Sequence, residues 1–280
     1  MCYRLSWISL CILGMGLLTV SSREAGAGAW TQPAGGFYAK IEGAVTNTDR
    51  EFDRNGENVH YAVDSLRVRP ASYDNRQIRG YLEYGLARRL TSVLSLSWQT
   101  IEVEQIAARQ KTYGFSDLRV GLRYGLSESE LVSAVAVEAK IPTGYDEASF
   151  PALGSHTLDI AFMVQAGRSF PGGYATAETG INFRSGELAN ELPWSFELGL
   201  RPFSRAQVRG IVRGRRAFGS LEEKEEKDLA RVNARSLDVA GAVVYSVTPR
   251  CDVEASLART VTGKNSLRGT EVALGLAVHR

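Results

Sequence analysis

Ile78-Arg79-Gly80-Tyr81-Leu82-Glu83-Tyr84-Gly85-Leu86 is the stretch that decides the fold. Side chains of an extended chain point alternately to its two faces. Ile78, Gly80, Leu82, Tyr84 and Leu86 therefore share one face, and Arg79, Tyr81, Glu83 and Gly85 share the other. The pattern recurs. Leu118, Val120, Leu122, Tyr124 and Leu126 oppose Asp117, Arg119 and Arg123. Val135, Val137, Ala139 and Ile141 oppose Glu138 and Lys140, and Ile160, Phe162 and Val164 oppose Asp159 and Gln165. Ala177, Ile181 and Phe183 oppose Glu178, Asn182 and Arg184, and Trp194, Phe196, Leu198 and Leu200 oppose Glu197 and Arg201. Val239, Val243 and Tyr245 oppose Asp238, and Val272, Leu274, Leu276 and Val278 oppose Glu271. These stretches run about ten to fifteen residues. A soluble strand has about five or six, and a strand crossing a bilayer at a tilt needs about nine to eleven.

The connections alternate in kind. Tight ones fall at Ala87-Arg88-Arg89, Ser127 to Glu130, Pro171-Gly172-Gly173, Pro202 to Arg205 and Thr248-Pro249-Arg250. Longer ones fall at Gln105 to Thr112, Pro142 to Ser155, Gly186 to Leu192, Gly219 to Arg235 and Thr262 to Leu267. Short turns at one rim and long loops at the other are the habit of outer-membrane barrels. Tyr84, Tyr124, Phe170 and Tyr245 lie on the apolar face just before tight turns, as in an interfacial aromatic girdle. The predicted fold is all-β: a closed antiparallel transmembrane β-barrel of about twelve strands. The segment 47–74 is expected outside the membrane, with a hairpin turn at Phe52-Asp53-Arg54-Asn55-Gly56 and room for a short strand over Tyr61 to Val68. The run Glu222 to Asp228 reads as a solvated loop.

The N-terminus predicts export. Arg4 precedes an apolar run from Ile8 to Val20, too short for a membrane-spanning helix. Ala25-Gly26-Ala27 and Ala27-Gly28-Ala29 both fit a leader cleavage site, and residues 1–29 are read as a signal peptide ahead of a barrel over 30–280. Its removal takes Cys2 and Cys11 and leaves Cys251 without an internal disulfide partner.

The 280 residues carry 33 Lys and Arg against 31 Asp and Glu, a balance that excludes a nucleic-acid binder. A Lys or Arg facing lipid at mid-membrane costs about 2–4 kcal/mol, so the charged faces must turn inward. Candidate lumen or solute-binding residues are Arg79, Glu83, Asp117, Arg119, Arg123, Glu138, Lys140, Asp159, Glu178, Arg184, Glu197, Arg201, Arg209, Arg213 and Arg215. Glu42, Asp238, Asp252 and Glu254 join them from the acidic side. The residues support two readings: a water-filled pore whose charges sort solutes, or a lumen filled by interlocked ion pairs. Arg209, Arg213 and Arg215 on one strand form a basic ladder that would favour anions in a pore. No catalytic site, metal site or cofactor is expected: the three histidines do not cluster, and Ser155 and His156, adjacent on the chain, cannot face each other along a strand. The implied partners are outer-membrane lipid, a small-molecule solute and the barrel-assembly machinery of a Gram-negative bacterium. A non-conducting structural or adhesion barrel is the alternative.

Several segments, in order, carry a resemblance. They are Phe52 to Gly56, Leu82-Glu83-Tyr84-Gly85-Leu86, Phe115-Ser116-Asp117-Leu118-Arg119-Val120-Gly121-Leu122-Arg123-Tyr124, Ala139-Lys140-Ile141-Pro142-Thr143-Gly144-Tyr145, Gly154 to Asp159, and Glu197-Leu198-Gly199-Leu200-Arg201-Pro202. From about Trp30 to Phe218 the chain resembles the outer-membrane family named for the MetA pathway of phenol degradation. That resemblance implies a porin-like transporter of small, often aromatic, compounds. One feature departs from it: outer-membrane strands usually end in a terminal aromatic, and this chain ends Val278-His279-Arg280.

Overall fold

The computed structural model describes residues 28–62, 70–105, 108–146, 148–186, 188–218 and 234–280. Residues 1–27, nearly all of the expected signal peptide, lie outside this set, as do most of the expected Tyr61 to Val68 strand and the whole Glu222 to Asp228 run.

The chain forms β1 (Phe37–Thr48), β2 (Arg50–Phe52), β3 (Asn58–His60), β4 (Ala71–Ala87), β5 (Leu90–Gln105), β6 (Ala108–Phe115), β7 (Leu118–Glu128) and β8 (Val132–Ile141). There follow β9 (Asp159–Phe170), β10 (Gly173–Arg184), β11 (Asn190–Phe203), β12 (Ala206–Phe218), β13 (Arg235–Thr248), β14 (Cys251–Lys264), β15 (Ser266–Leu267) and β16 (Thr270–His279). No helix occurs among the described residues. Twelve strands close one antiparallel ring in the order β4-β1-β16-β14-β13-β12-β11-β10-β9-β8-β7-β5, and β5 pairs back onto β4. Closure leaves no unpaired edge for lipid to meet, the condition a sheet must satisfy in a bilayer.

The two faces are inverted relative to a soluble protein. Large apolar side chains point outward, with Leu274 64 % exposed and Ile41 57 %. Inside, Glu83 is 1 % exposed and Asp159 3 %, and the buried apolar residues are largely alanines such as Ala134, Ala242 and Ala273. Tyr84, Tyr124, Phe170 and Tyr245 are all exposed on the outer face beside short turns, where a girdle belongs.

Two expected loops contain strand. Gln105 to Thr112 is the tip of a hairpin, because β6 pairs with the Trp98–Gln105 half of β5. The Leu90–Ser95 half of β5 pairs with β7 instead. β6 and β7 therefore make one crossing, broken at Ser116-Asp117. Periodicity could not separate this hairpin from a loop, since Arg109, Gln110 and Lys111 read as polar on both faces. Beyond the break, the 142–158 connection folds against the interruption. Gln99 Nε2 and Ser116 Oγ donate to the Leu153 carbonyl at 2.5 and 2.9 Å, and Leu153 is buried. The second expected loop, Gly186 to Leu192, is shorter than its sequence suggests, with β11 starting at Asn190.

Outside the barrel, β15, β2 and β3 make a small sheet. The Phe52 to Gly56 turn forms as its sequence predicts: Asp53 Oδ1 accepts from the backbone of Asn55 and Glu57 at 2.8 Å, and Gly56 takes φ +86°. Tyr61 sits edge-on to Tyr73, and burial pushes its phenol up to about 12.

Leu274→Arg places a charge on the lipid face in mid-strand. It should destabilise the barrel by about 2–4 kcal/mol in denaturant unfolding from lipid vesicles. A loss under about 0.5 kcal/mol would mean that this face does not meet lipid.

Candidate functional site

Strand alternation sends the predicted charged set into the lumen, and neighbouring strands bring most of it into contact. On the β1 side, Lys40 lies 2.6 Å from Glu42 and 3.1 Å from Glu254. Arg79 bridges Glu42 and Glu271, the latter at 2.8 Å. Arg209 pairs with Glu254 at 2.5 Å and lies 3.9 Å from Glu197, which also accepts a hydrogen bond from the Tyr174 hydroxyl. These residues form one continuous network from β4 to β11. A second network sits opposite. Lys140 pairs with Asp159 at 2.6 Å and lies 3.8 Å from Asp117; Arg184 reaches Asp159 and Glu191 at 3.4 and 2.9 Å. Asp117 also accepts from the Tyr145 hydroxyl. Arg119 and Glu138 pair separately at 2.7 Å.

The basic ladder divides. Arg209 is consumed by its network. Arg213 is 3.6 Å from Asp238, and its side chain stays 54 % exposed. Arg215 is exposed and makes no ion pair among the described residues. Arg201 stands at the short-turn rim, half-buried and likewise without an ion pair there. Of the predicted carboxylates, Glu178 has no cation among the described residues, its partners being Gln165 Nε2 and Ser195 Oγ, each at 3.0 Å, and Asp252 meets the His279 ring at 3.1 Å.

A feature that periodicity could not reveal occupies the lumen. Residues 28–36 fold back inside the barrel from the short-turn rim, ahead of β1. Gly35 N donates to the Gly85 carbonyl at 2.8 Å. Further in, Gln32 N donates to Thr91 Oγ1 and Gln32 Nε2 to Glu83 Oε2, both at 2.8 Å. Arg123 donates to the Trp30 carbonyl at 3.1 Å and to Glu83 Oε1 at 2.9 Å. The Trp30 ring packs edge-on to Tyr174, with centroids 5.8 Å apart. Ala29 is 1 % exposed. The segment thus crosses the lumen from β4 to β10.

Glycines make the room. A Cβ on Gly85 would stand 2.0 Å from the Pro33 carbonyl, and one on Gly167 would stand 2.6 Å from the Trp30 ring. The sequence held half of this signal: Tyr84-Gly85 and Tyr124-Gly125 put an aromatic outward and a glycine inward beside successive short turns. The inward glycines seat the N-terminal segment.

The described residues do not fill the lumen. One cavity of about 410 Å³ is lined by Tyr38, Lys40, Arg79, Tyr81, Asp117, Arg119 and Arg209. Another of about 370 Å³ is lined by Tyr81, Arg119, Arg123, Glu138, Met163, Glu178 and Arg215. They share Tyr81 and Arg119. Lys140 donates to Ser155 Oγ, and the His156 ring packs on Tyr145 at 4.2 Å.

No protein-family model matches the sequence, and no curated protein does. Solved structures match over nearly the whole chain. The COG4313 outer membrane channel from Pseudomonas putida F1 has a TM-score of 0.68 at 14 % identity, covering 90 % of this chain and 98 % of the other. The fold is that of the outer-membrane β-barrels. The translocator domain of the autotransporter NalP from Neisseria meningitidis has a TM-score of 0.53 at 11 % identity, covering 87 % of this chain and 88 % of that one. The NanC porin also reaches 0.53, at 8 % identity, covering 86 % and 98 %. At such identities the likeness is one of fold. The three proteins differ in role, so the lumen of this chain must be read from its own residues.

Two variants probe the segment. Glu83→Gln leaves Arg123 buried without its countercharge and should cost about 3–5 kcal/mol in denaturant unfolding; a cost under about 1 kcal/mol would show the pair to be dispensable. Trp30→Gly empties the space over Gly167 and should raise single-channel conductance in planar bilayers severalfold. An unchanged conductance would place the narrowest point elsewhere.

Proposed function

We propose that the protein is a passive outer-membrane channel for small solutes, exported by a cleaved signal peptide and inserted by the barrel-assembly machinery. The observation that carries this reading is the lumen. Its charges are mostly neutralised in pairs, yet among the described residues it keeps unfilled space, including the two cavities that share Tyr81 and Arg119. A barrel serving only as an adhesion scaffold has no need of unfilled polar space between its networks. The occupied short-turn half argues against a wide, permanently open pore. Conduction on this reading requires the 28–36 segment to yield or leaves only a narrow path beside it.

The solute class follows from what lines the space. Arg119, Arg213 and Arg215 present guanidinium groups that their carboxylate partners leave at least half exposed or do not meet. Tyr81 and Met163 add apolar and aromatic surface. A small organic anion with an aromatic ring suits this mixture. Guanidinium binds carboxylate bidentately and also stacks on ring faces. The resemblance to the phenol-degradation family points the same way. The proposed lumen and solute-contacting set is the predicted one, with Arg119, Arg213 and Arg215 as the residues free to engage a solute and the others mainly holding the wall.

The direct test is ion conductance and benzoate permeation in reconstituted bilayers. The channel reading expects measurable conductance and a preference for anions that falls in an Arg213→Ala, Arg215→Ala double variant. No conductance at any voltage, in either wild type or a chain lacking 28–35, would sink the channel reading and favour the non-conducting scaffold.

A further inference from the structure

Glu178 faces mid-lumen from β10, opposite Gln165 on β9. It has hydrogen-bond donors but no cation among the described residues. Glu178 is half-buried, whereas the buried luminal carboxylates Glu42, Glu83, Asp159, Glu191 and Glu254 each pair with an arginine or lysine. Gln165 is 6 % exposed and spends its Nε2 on Glu178, leaving its Oε1 buried without a partner. Beside the Glu178 carboxylate there is thus a second, buried acceptor, and no cation meets Glu178 among the described residues. An unpaired buried acceptor costs about 1–3 kcal/mol, a cost that a donor reaching Gln165 Oε1 would remove.

The backbone of Gly28 lies against this site. A Cβ built on Gly28 would stand 3.7 Å from Glu178 Oε2 and 3.9 Å from Gln165 Nε2. As a peptide, Gly28 offers one neutral N–H. As a chain terminus it offers an ammonium with three donors and a full charge, since an α-amino group titrates near 8. The residues before it, Ala25-Gly26-Ala27, have the small-x-small form that leader peptidases cut.

We propose that the leader is cut after Ala27 and that the new α-ammonium of Gly28 pairs with Glu178 and Gln165, latching the N-terminal segment inside the barrel. Cleavage hydrolyses the Ala27–Gly28 peptide bond: water supplies the hydroxyl to the Ala27 carboxyl and a proton to the Gly28 amine. The alternative cut, after Ala29, would discard both Gly28 and the buried Ala29 and move the new ammonium two residues along the chain from the position beside Glu178. The latch makes processing a condition of closure, because an unprocessed chain has no ammonium at this point. The inference rests on the export step of the proposed function and not on conduction.

Intact-mass measurement of the protein purified from outer membranes, expressed with its own leader, tests the cut. A chain of residues 28–280 is expected; a start at Trp30, or at any other residue, overturns the proposal. Reductive methylation of the α-amine at neutral pH tests the latch. The wild-type amine should react at least tenfold more slowly in the folded barrel than in the denatured chain. E178Q should remove most of that protection while the heat-modifiable gel shift stays intact. A chain refolded from Ala25, whose amine lies three residues beyond the site, checks the same point without altering Glu178 and should be unprotected. Equal protection in all three forms overturns the latch. Neither readout uses conductance, so failure of the channel reading and failure of this one remain distinct.

Discussion

Lipid cannot solvate a charged side chain, and nearly every strand of this chain carries one at alternate positions. That constraint arranges the rest. It sends Arg79, Arg123, Lys140, Arg184 and Arg209 inward along with their carboxylates, and it forces them to find one another there. A buried charge that loses its partner is costly, so the register of the strands and the pairing of the charges support each other. Glu83 and Arg123 show this most clearly. Their side chains are 1 % and 7 % exposed, they bridge β4 and β7 across β5, and together they hold Gln32 and the Trp30 carbonyl. The pair fixes the wall and the N-terminal segment at the same time.

The wall was largely legible in the sequence because it depends on local alternation. Ile78 to Leu86 reads as a two-faced strand from its own residues, and the structure places Ile78, Leu82 and Tyr84 outward and Glu83 inward. The turn at Asp53 was readable for the same reason, since its hydrogen bonds close within four residues. What alternation cannot carry is pairing at a distance. Gln32 meets Glu83 across 51 positions of chain, and no periodicity in residues 28–36 announces it. The small outer sheet joins β2 to β15, more than 200 positions away, with Phe52 opposite Ser266 and Glu51 opposite Leu267. The fate of the arginine ladder was closed to sequence for a related reason. Arg209, Arg213 and Arg215 look alike on β12, and only the strands beside them decide that Arg209 is consumed and Arg215 is left exposed.

The lumen therefore combines two materials. Ion-pair networks stiffen the wall, and a short segment of the chain's own N-terminus occupies the space they leave at the short-turn end. The first is rigid because each charge would be stranded if it moved. The second is held by a few hydrogen bonds and one aromatic ring seated over glycine, interactions of about 0.5–3 kcal/mol apiece. If either part moves during transport, the energetics favour the segment.

Apolar faces turned to lipid and an N-terminal segment held inside the barrel are the two features on which the rest of the molecule depends. The tryptophans report on both at once. Trp98 and Trp194 are 41 % and 40 % exposed on the outer face, and Trp30 sits in the lumen against Tyr174. Single-tryptophan variants reconstituted into brominated-lipid bilayers should show strong quenching of Trp98 and Trp194 and little quenching of Trp30. Quenching of Trp30 as strong as that of the other two, or its absence at Trp98 and Trp194, would contradict the account.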